Sequence, residues 1–265
     1  MNGQGSEQVA SLKGPQLKLD RAKHHIRDLE AARQRFFDAN PYDLWEKENL
    51  ETGQRELVVK RADPVPDSLS LISGDVIHNL RSALDHLIWQ LVVANGGEPN
   101  DKTAFPIWQS ETKYKSGRPG YAKGISKAAL KILDGLKPYE GGNDALWRLH
   151  KLDIIDKHRL LLTVAARQEH VTIDFGLLAG ELLGKSDWPS MPVTLNPAER
   201  DMIEVGTVVF AAPLEEESKM HLELAFGVAL YEPEISIYEP VGKALNELAS
   251  FVGEVIDLFA PLIDE

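Results

Sequence analysis

The hydrophobic repeat of this chain changes near Leu161, and that change constrains the fold more than any other feature. Before it, apolar residues recur every three or four positions, which predicts helices over residues 16–37, 67–94, 126–136 and 143–161. After it, short runs rich in Val, Ile, Thr and Phe predict antiparallel strands over residues 161–167, 170–175, 204–212 and 221–231. The helical spacing returns over residues 238–263 and predicts a closing helix. The sequence therefore predicts an α+β protein.

Three regions follow from these patterns. Residues 1–15 are polar and rich in Gly, Ser and Gln, which predicts a flexible leader without the hydrophobic core of a signal peptide. Residues 16–161 predict a bundle-like helical region around the long central helix, with a β-hairpin from strands at 42–46 and 56–62. Residues 162–265 predict an antiparallel sheet and the closing helix. We expect the last two regions to pack as one domain.

The net charge of −12 argues against general nucleic-acid binding, but the charge is unevenly distributed. Residues 102–137 carry eight basic and two acidic residues, a local charge of +6. Residues 167–265 carry five basic and nineteen acidic residues, a local charge of −14, which suits a protein partner better than a polyanion. Solvated lysines explain the basic segment equally well. The residues predicted to bind nucleic acid are Lys113, Lys115, Arg118, Lys123 and Lys127.

The chain contains no cysteine, which excludes disulfides, thiolate–zinc sites and a cysteine nucleophile. A cysteine-free chain suits a reducing cytoplasm. The longest uninterrupted apolar run, residues 160–166, is far shorter than the roughly 20 residues of a membrane-spanning helix. We therefore expect a cytoplasmic protein without a membrane partner.

The predicted central helix, residues 67–94, places several ionisable side chains on one face. At 100° per residue these side chains share a sector of about 160°, opposite the apolar side chains. The main candidates are His78, Arg81, Asp85 and His86. Such a set can bind phosphate, ligate a metal or transfer protons. The alternative is an ordinary surface helix with pairs four residues apart, such as Arg81 with Asp85.

A second polar cluster contains His150, Asp153, Asp156 and His158. A continuous helix scatters these side chains around its axis, so they do not predict one site. Some are expected to pair internally, for example Asp153 with Lys157 four residues later. We interpret the histidines of this cluster as core or capping residues.

Segments at residues 74–87, 105–107 and 155–160 resemble a family of uncharacterised bacterial proteins, a resemblance that brings no activity with it. A narrower resemblance lies in the central helix, where four residues separate Arg81 from His86. An Arg followed after four to six residues by a His, on a long helix of a bundle, is similar to the motif of the HEPN superfamily. Ser82 departs from the Asn, Asp or His that often follows the Arg, and the strand-rich tail is foreign to a minimal HEPN bundle.

This resemblance implies a metal-independent ribonuclease, of a class often found among toxins and host-defence factors. Arg81 would stabilise the phosphorane-like transition state, and His86 would take part in proton transfer at the ribose 2′-hydroxyl. His78 and Asp85 complete the candidate catalytic set. The family acts as dimers that bring two motifs together, so we expect a homodimer formed through the helical region, with RNA as its partner and no cofactor.

Two other functions remain open on the sequence alone. One is a helical metalloprotein that uses His78, His86 and His158 across packed helices. Their spacing gives no preset tetrahedral site, so we expect no bound metal. The other is a non-enzymatic binding or regulatory protein whose acidic C-terminal region contacts a protein partner. A phosphate-binding Gly-rich loop and a nucleophile elbow are both missing from the sequence.

Overall fold

The computed structural model describes residues 9–158, 164–174, 190–195, 203–213, 222–232 and 237–263. The helices within these residues are α1 (Lys13–Asp38), α2 (Asp67–Ala94), α3 (Glu111–Tyr121), α4 (Lys127–Gly135), α5 (Asp144–His158) and α6 (Val241–Phe259), followed by a 3₁₀ turn (Ala260–Leu262). The strands are β1 (Tyr42–Asn49), β2 (Gln54–Ala62), β3 (Val164–Asp174), β4 (Pro192–Leu195), β5 (Val208–Pro213), β6 (Leu222–Glu232) and β7 (Ile237–Pro240). Helices and antiparallel sheets coexist, so the predicted α+β class is confirmed.

The chain divides into two compact units that interleave along the sequence. Unit 1 contains residues 1–31, 70–162 and 242–265, and unit 2 contains residues 32–69 and 163–241. This division differs from the linear one expected from the sequence. The hairpin belongs to unit 2 because β2 pairs with β5, and the closing helix belongs to unit 1, where Gly253 of α6 lies against Leu19 of α1.

Unit 1 is built around the apolar face of α2, as the helical spacing predicts. Seven residues of that face are fully buried: Val76, Ile77, Leu80, Ala83, Leu84, Leu87 and Ile88. Burial of a Leu or Ile side chain contributes about 1.5–3 kcal/mol relative to exposure, so this face is the main stabilising element of the unit. The predicted cap of α5 is also confirmed, since the Leu146 N–H donates to Asn143 Oδ1 at 3.0 Å.

Unit 2 contains two antiparallel sheets rather than the single sheet expected from the sequence. One has the strand order β1-β2-β5 and the other the order β4-β3-β6-β7. The predicted hairpin is confirmed as β1–β2, with Gly53 at a φ of 67° in its turn. The expected strands at 161–167 and 170–175 merge into β3, which has a register shift between Gln168 and His170; residues 161–163 and 175 lie outside the described residues.

Helix α3 was not expected, because Gly117, Pro119 and Gly120 argue against a helix. Its first turn is capped by Ser110, whose side chain accepts from the Lys113 N–H. Gly117 is required for packing, since a Cβ there would overlap the ring of Trp108. Tertiary contact therefore overrides the local preference.

None of the described helices combines the length and the apolar character that crossing a membrane requires.

Candidate functional site

Arg81 and Asp85, one turn apart on α2, hold the backbone of Phe105. The Arg81 guanidinium donates from Nη2 to the Phe105 carbonyl at 2.7 Å, and the Phe105 N–H donates to Asp85 Oδ1 at 2.8 Å. The two side chains also form an ion pair, with Nη1 of Arg81 2.8 Å from Oδ1 of Asp85. Arg81 is only 8% exposed, so its guanidinium is fixed in a buried position. The pair fastens the segment after α2 to the helix itself.

The Arg81 guanidinium nevertheless retains unused donor capacity. Its Nη1 lies 2.8 Å from Asp85 Oδ1 in the ion pair, and the second N–H of this buried atom has no acceptor among the described residues. A buried donor without an acceptor costs about 1–3 kcal/mol, and more when it is charged. Such a donor is a candidate binding group for an acceptor on a ligand.

Arg81 lines a cavity of about 230 Å³ in unit 1. The residues that line it come from α2, the segment before α3, α3 itself and α5. They are Arg81, Phe105, Pro106, Ile107, Trp108, Gln109, Lys113, Tyr121 and His150. Two of these residues repeat the situation of Arg81, because Nε1 of Trp108 and Nδ1 of His150 are buried without hydrogen-bond partners. Three unsatisfied polar atoms therefore belong to side chains that line one cavity.

Trp108 is held firmly by its backbone and by its ring. Its N–H donates to the Pro138 carbonyl, and its carbonyl accepts from the Glu140 N–H, both at 3.1 Å. The indole packs on Gly117 and meets the Tyr121 ring edge to face, with centroids 5.5 Å apart at 85°. The unsatisfied Nε1–H is therefore a positioned donor.

Burial decides the protonation of the titratable groups at this site. It lowers the pKa of His150 to about 4, with a smaller contribution from the Arg81 charge, so the imidazole is neutral at pH 7. Burial also raises the pKa of Asp85, although the Arg81 charge and the Phe105 N–H act in the opposite direction. A neutral His150 offers one donor and one acceptor to a ligand.

Acid is expected to destabilise the fold through His150. Between pH 6.5 and 4 the unfolded chain protonates this residue and the folded chain does not, so stability falls as the pH is lowered, by up to about 3 kcal/mol. His150→Gln removes this loss, whereas His158→Gln, an exposed position on the same helix, retains it. Urea unfolding at pH 7, 5.5 and 4.5 measures the difference. Equal acid sensitivity of wild type and His150→Gln would contradict the assignment.

The four candidate catalytic residues do not converge on one point. Arg81 lines the cavity and Asp85 is its ion-pair partner, whereas His86 and His78 are exposed and do not line it. Nδ1 of His86 lies 3.2 Å from the position of a Cβ on Gly14 at the start of α1. The side chains of Arg81, His78 and His86 therefore have different surroundings, although the helical spacing places them in one sector of α2.

His78 faces α5 instead. Its Nδ1 is 3.6 Å from Oδ1 of Asp153, a buried carboxylate that accepts from Lys157 Nζ at 2.6 Å. This confirms the predicted pair of Asp153 with Lys157. One turn towards the start of α2, Gly74 leaves room for the Asp156 carboxylate, whose pKa is raised by burial and by nearby Asp153. The described part of the chain holds no group of three His, Asp or Glu side chains that could bind a metal.

The five predicted nucleic-acid-binding residues have different surroundings. Lys113 lines the cavity and donates to Gln109 Oε1 at 2.6 Å. Lys115 pairs with Glu111, and Arg118 pairs with Asp134. Lys123 and Lys127 are exposed. Two of the five cations are thus already paired with carboxylates on the same unit.

Sequence reasoning missed Trp108, Gln109, Tyr121 and the role of His150. A signal was present in the apolar segment 105–108, which is too short for a helix and carries a proline. The pattern could not show that this segment docks on Arg81, since hydrogen bonds between distant segments leave no periodic trace.

Comparison of the chain with family models, with curated proteins and with solved structures gives no match.

Proposed function

We propose that unit 1 binds a small ligand through a carboxylate or phosphate group in the cavity lined by Arg81, Trp108 and His150. The observation that carries the proposal is the set of three buried polar atoms without hydrogen-bond partners. They come from three separate segments of the chain, α2, the segment before α3, and α5. Buried polar groups are rarely left without partners, and a ligand bound in the cavity would supply acceptors for these.

An anionic acceptor fits the chemistry of these groups. The Trp108 Nε1 is an N–H donor without an acceptor, the Arg81 Nη1 has a second N–H beyond its ion pair with Asp85, and a neutral imidazole has one N–H to donate. Carboxylate and phosphate oxygens accept several such bonds, and bonds to charged groups are about twice as strong as neutral ones. Lys113 adds an exposed positive charge to the cavity lining.

Asp85 sets the strength of this site. Its carboxylate partly neutralises Arg81, which lowers the attraction for anions at long range. The binding energy then comes from short, directed hydrogen bonds to the lining side chains, and less from net charge. We therefore expect selectivity for oxyanions with several acceptor oxygens over chloride.

Calorimetric titration with acetate, phosphate, sulfate and chloride tests the proposal. Trp108→Phe keeps an aromatic ring and removes only the Nε1–H, so it should weaken oxyanion binding about tenfold or more, as expected for a hydrogen bond to a charged group. Lys115→Ala is the matched control, because Lys115 lies on α3, pairs with Glu111 and does not line the cavity. Oxyanions that bind no better than chloride, or equally well to Trp108→Phe, would contradict the proposal.

RNA cleavage is a second candidate function, in which an RNA phosphate is the anion. It is favoured by one observation, that Arg81 of the HEPN-like motif lines the same cavity as the basic residue Lys113. The homodimer and a protein partner for the acidic C-terminal region stay predictions.

A further inference from the structure

The cavity has two chemically different sets of lining residues. Arg81, His150, Gln109 and Lys113 supply polar groups. The remaining residues are apolar or aromatic: Phe105, Pro106, Ile107, Trp108 and Tyr121. A free oxyanion such as phosphate would use the first set and, of the second, only the Trp108 Nε1–H. The apolar surface of the second set would then remain exposed to water, which is unfavourable.

The cavity volume indicates the size of the apolar group that a ligand can place beside the apolar and aromatic residues. A cavity of about 150 Å³ lined by apolar side chains holds one benzene, and drug-sized ligands occupy about 300–1,000 Å³. The cavity of about 230 Å³ lies between these values. It has room for one six-membered ring and one carboxylate.

The exposed aromatic ring at the cavity favours a flat partner. Tyr121 is 39% exposed although it packs edge to face on Trp108, so part of its ring remains uncovered. Aromatic rings add a favourable offset or edge-to-face interaction beyond the area they bury. A saturated ring of the same size buries similar area and lacks that interaction.

We infer that the ligand of this site is a monocyclic aromatic carboxylate, a single ring that bears one carboxylate group. The carboxylate lies beside the Arg81, Trp108 and Lys113 side chains, and the ring packs between Tyr121 and the residues Phe105–Ile107. The inference rests on the proposed anion site and adds to it the class of the ligand. It assigns Tyr121 to recognition of the ring and Arg81 to recognition of the charge.

Calorimetric titration with sodium benzoate and matched probes tests this assignment. Benzoate should bind at least tenfold more tightly than acetate, because the ring buries apolar surface that acetate lacks. It should bind about two- to tenfold more tightly than cyclohexanecarboxylate, which lacks the aromatic interaction. Benzyl alcohol, which lacks the charge, should bind more weakly than benzoate.

Two variants separate the ring from the charge. Tyr121→Ala removes a ring that is 39% exposed, so it should weaken benzoate binding and leave acetate binding unchanged. Trp108→Phe should weaken both. Lys115→Ala should weaken neither.

The outcomes distinguish the two levels of the argument. Acetate that binds as tightly as benzoate, or benzoate binding that Tyr121→Ala leaves unchanged, would overturn the aromatic assignment while the anion site stands. Benzyl alcohol that binds as tightly as benzoate, or a protein that binds no oxyanion, would overturn the anion site and the aromatic assignment together.

Discussion

Asp85→Ala should lower the free energy of unfolding by about 3 kcal/mol. The change leaves the Arg81 guanidinium buried without its carboxylate and the Phe105 N–H without its acceptor. Breaking a buried ion pair by removal of one partner costs about 3–5 kcal/mol. We expect the lower end of that range, since 34% of the Asp85 side chain reaches solvent. Urea unfolding at pH 7 measures the loss.

Two controls separate charge from hydrogen bonding in this experiment. Asp85→Asn keeps an oxygen that accepts from the Phe105 N–H, so it should cost less than Asp85→Ala. Burial raises the pKa of Asp85, which already favours an uncharged group at this position and supports the smaller loss. Asp75→Ala, at an exposed position on the same helix, should change stability by less than about 0.5 kcal/mol. A loss below 1 kcal/mol for Asp85→Ala would show that the pair does not hold Phe105 in place.

The features predicted correctly from the sequence depend on neighbouring residues. The apolar face of α2, the Asn143 cap and the Asp153–Lys157 pair each follow from helical geometry over a few positions. Helical spacing also places Arg81 and Asp85 as partners. These interactions repeat with the period of the helix, so they can be read directly from the order of residues.

The features that sequence reasoning missed depend on contacts between distant segments. Helix α3 contains residues that disfavour helices and forms because Trp108 packs on Gly117 and because Tyr114 and Arg118 bond to Asp134. The strands downstream of Leu161 were expected to form a single sheet, but they belong to two sheets, because β5 pairs with β2 from the early hairpin. Pairing partners of this kind depend on the packing of the whole unit.

The candidate site contains residues that sequence reasoning identified and residues that it missed. Arg81 was identified from its place on the amphipathic helix, where an Arg among histidines and carboxylates is chemically unusual for a surface. His150 was assigned to a structural role, because its neighbours on α5 point in other directions. The cavity joins His150 to residues on α2 and before α3 instead, so its true companions are remote in sequence.

Cleavage of single-stranded RNA without added metal, leaving 2′,3′-cyclic phosphate ends, is the other large effect to test. On the HEPN-like assignment His86→Ala should lower the cleavage rate about 10²–10⁴-fold, the usual contribution of a general acid or base. Asp85→Asn should lower it less. Lys123→Glu combined with Lys127→Glu should weaken RNA binding and its salt dependence and leave the chemical step intact.

The same experiment should include His150→Gln beside His86→Ala, because His150 lines the cavity with Arg81 and His86 does not. Arg81→Lys removes the bidentate guanidinium contact to a phosphoryl group, but it also disturbs the hydrogen bond to the Phe105 carbonyl. The two histidine variants therefore distinguish the HEPN-like motif from the cavity more clearly than Arg81→Lys does. Loss of cleavage in His86→Ala alone would support the HEPN-like motif. Loss in His150→Gln alone would place the chemistry in the cavity. A wild-type protein inert toward mixed RNA would favour the non-enzymatic binding protein, with the anion site of unit 1 as its binding site.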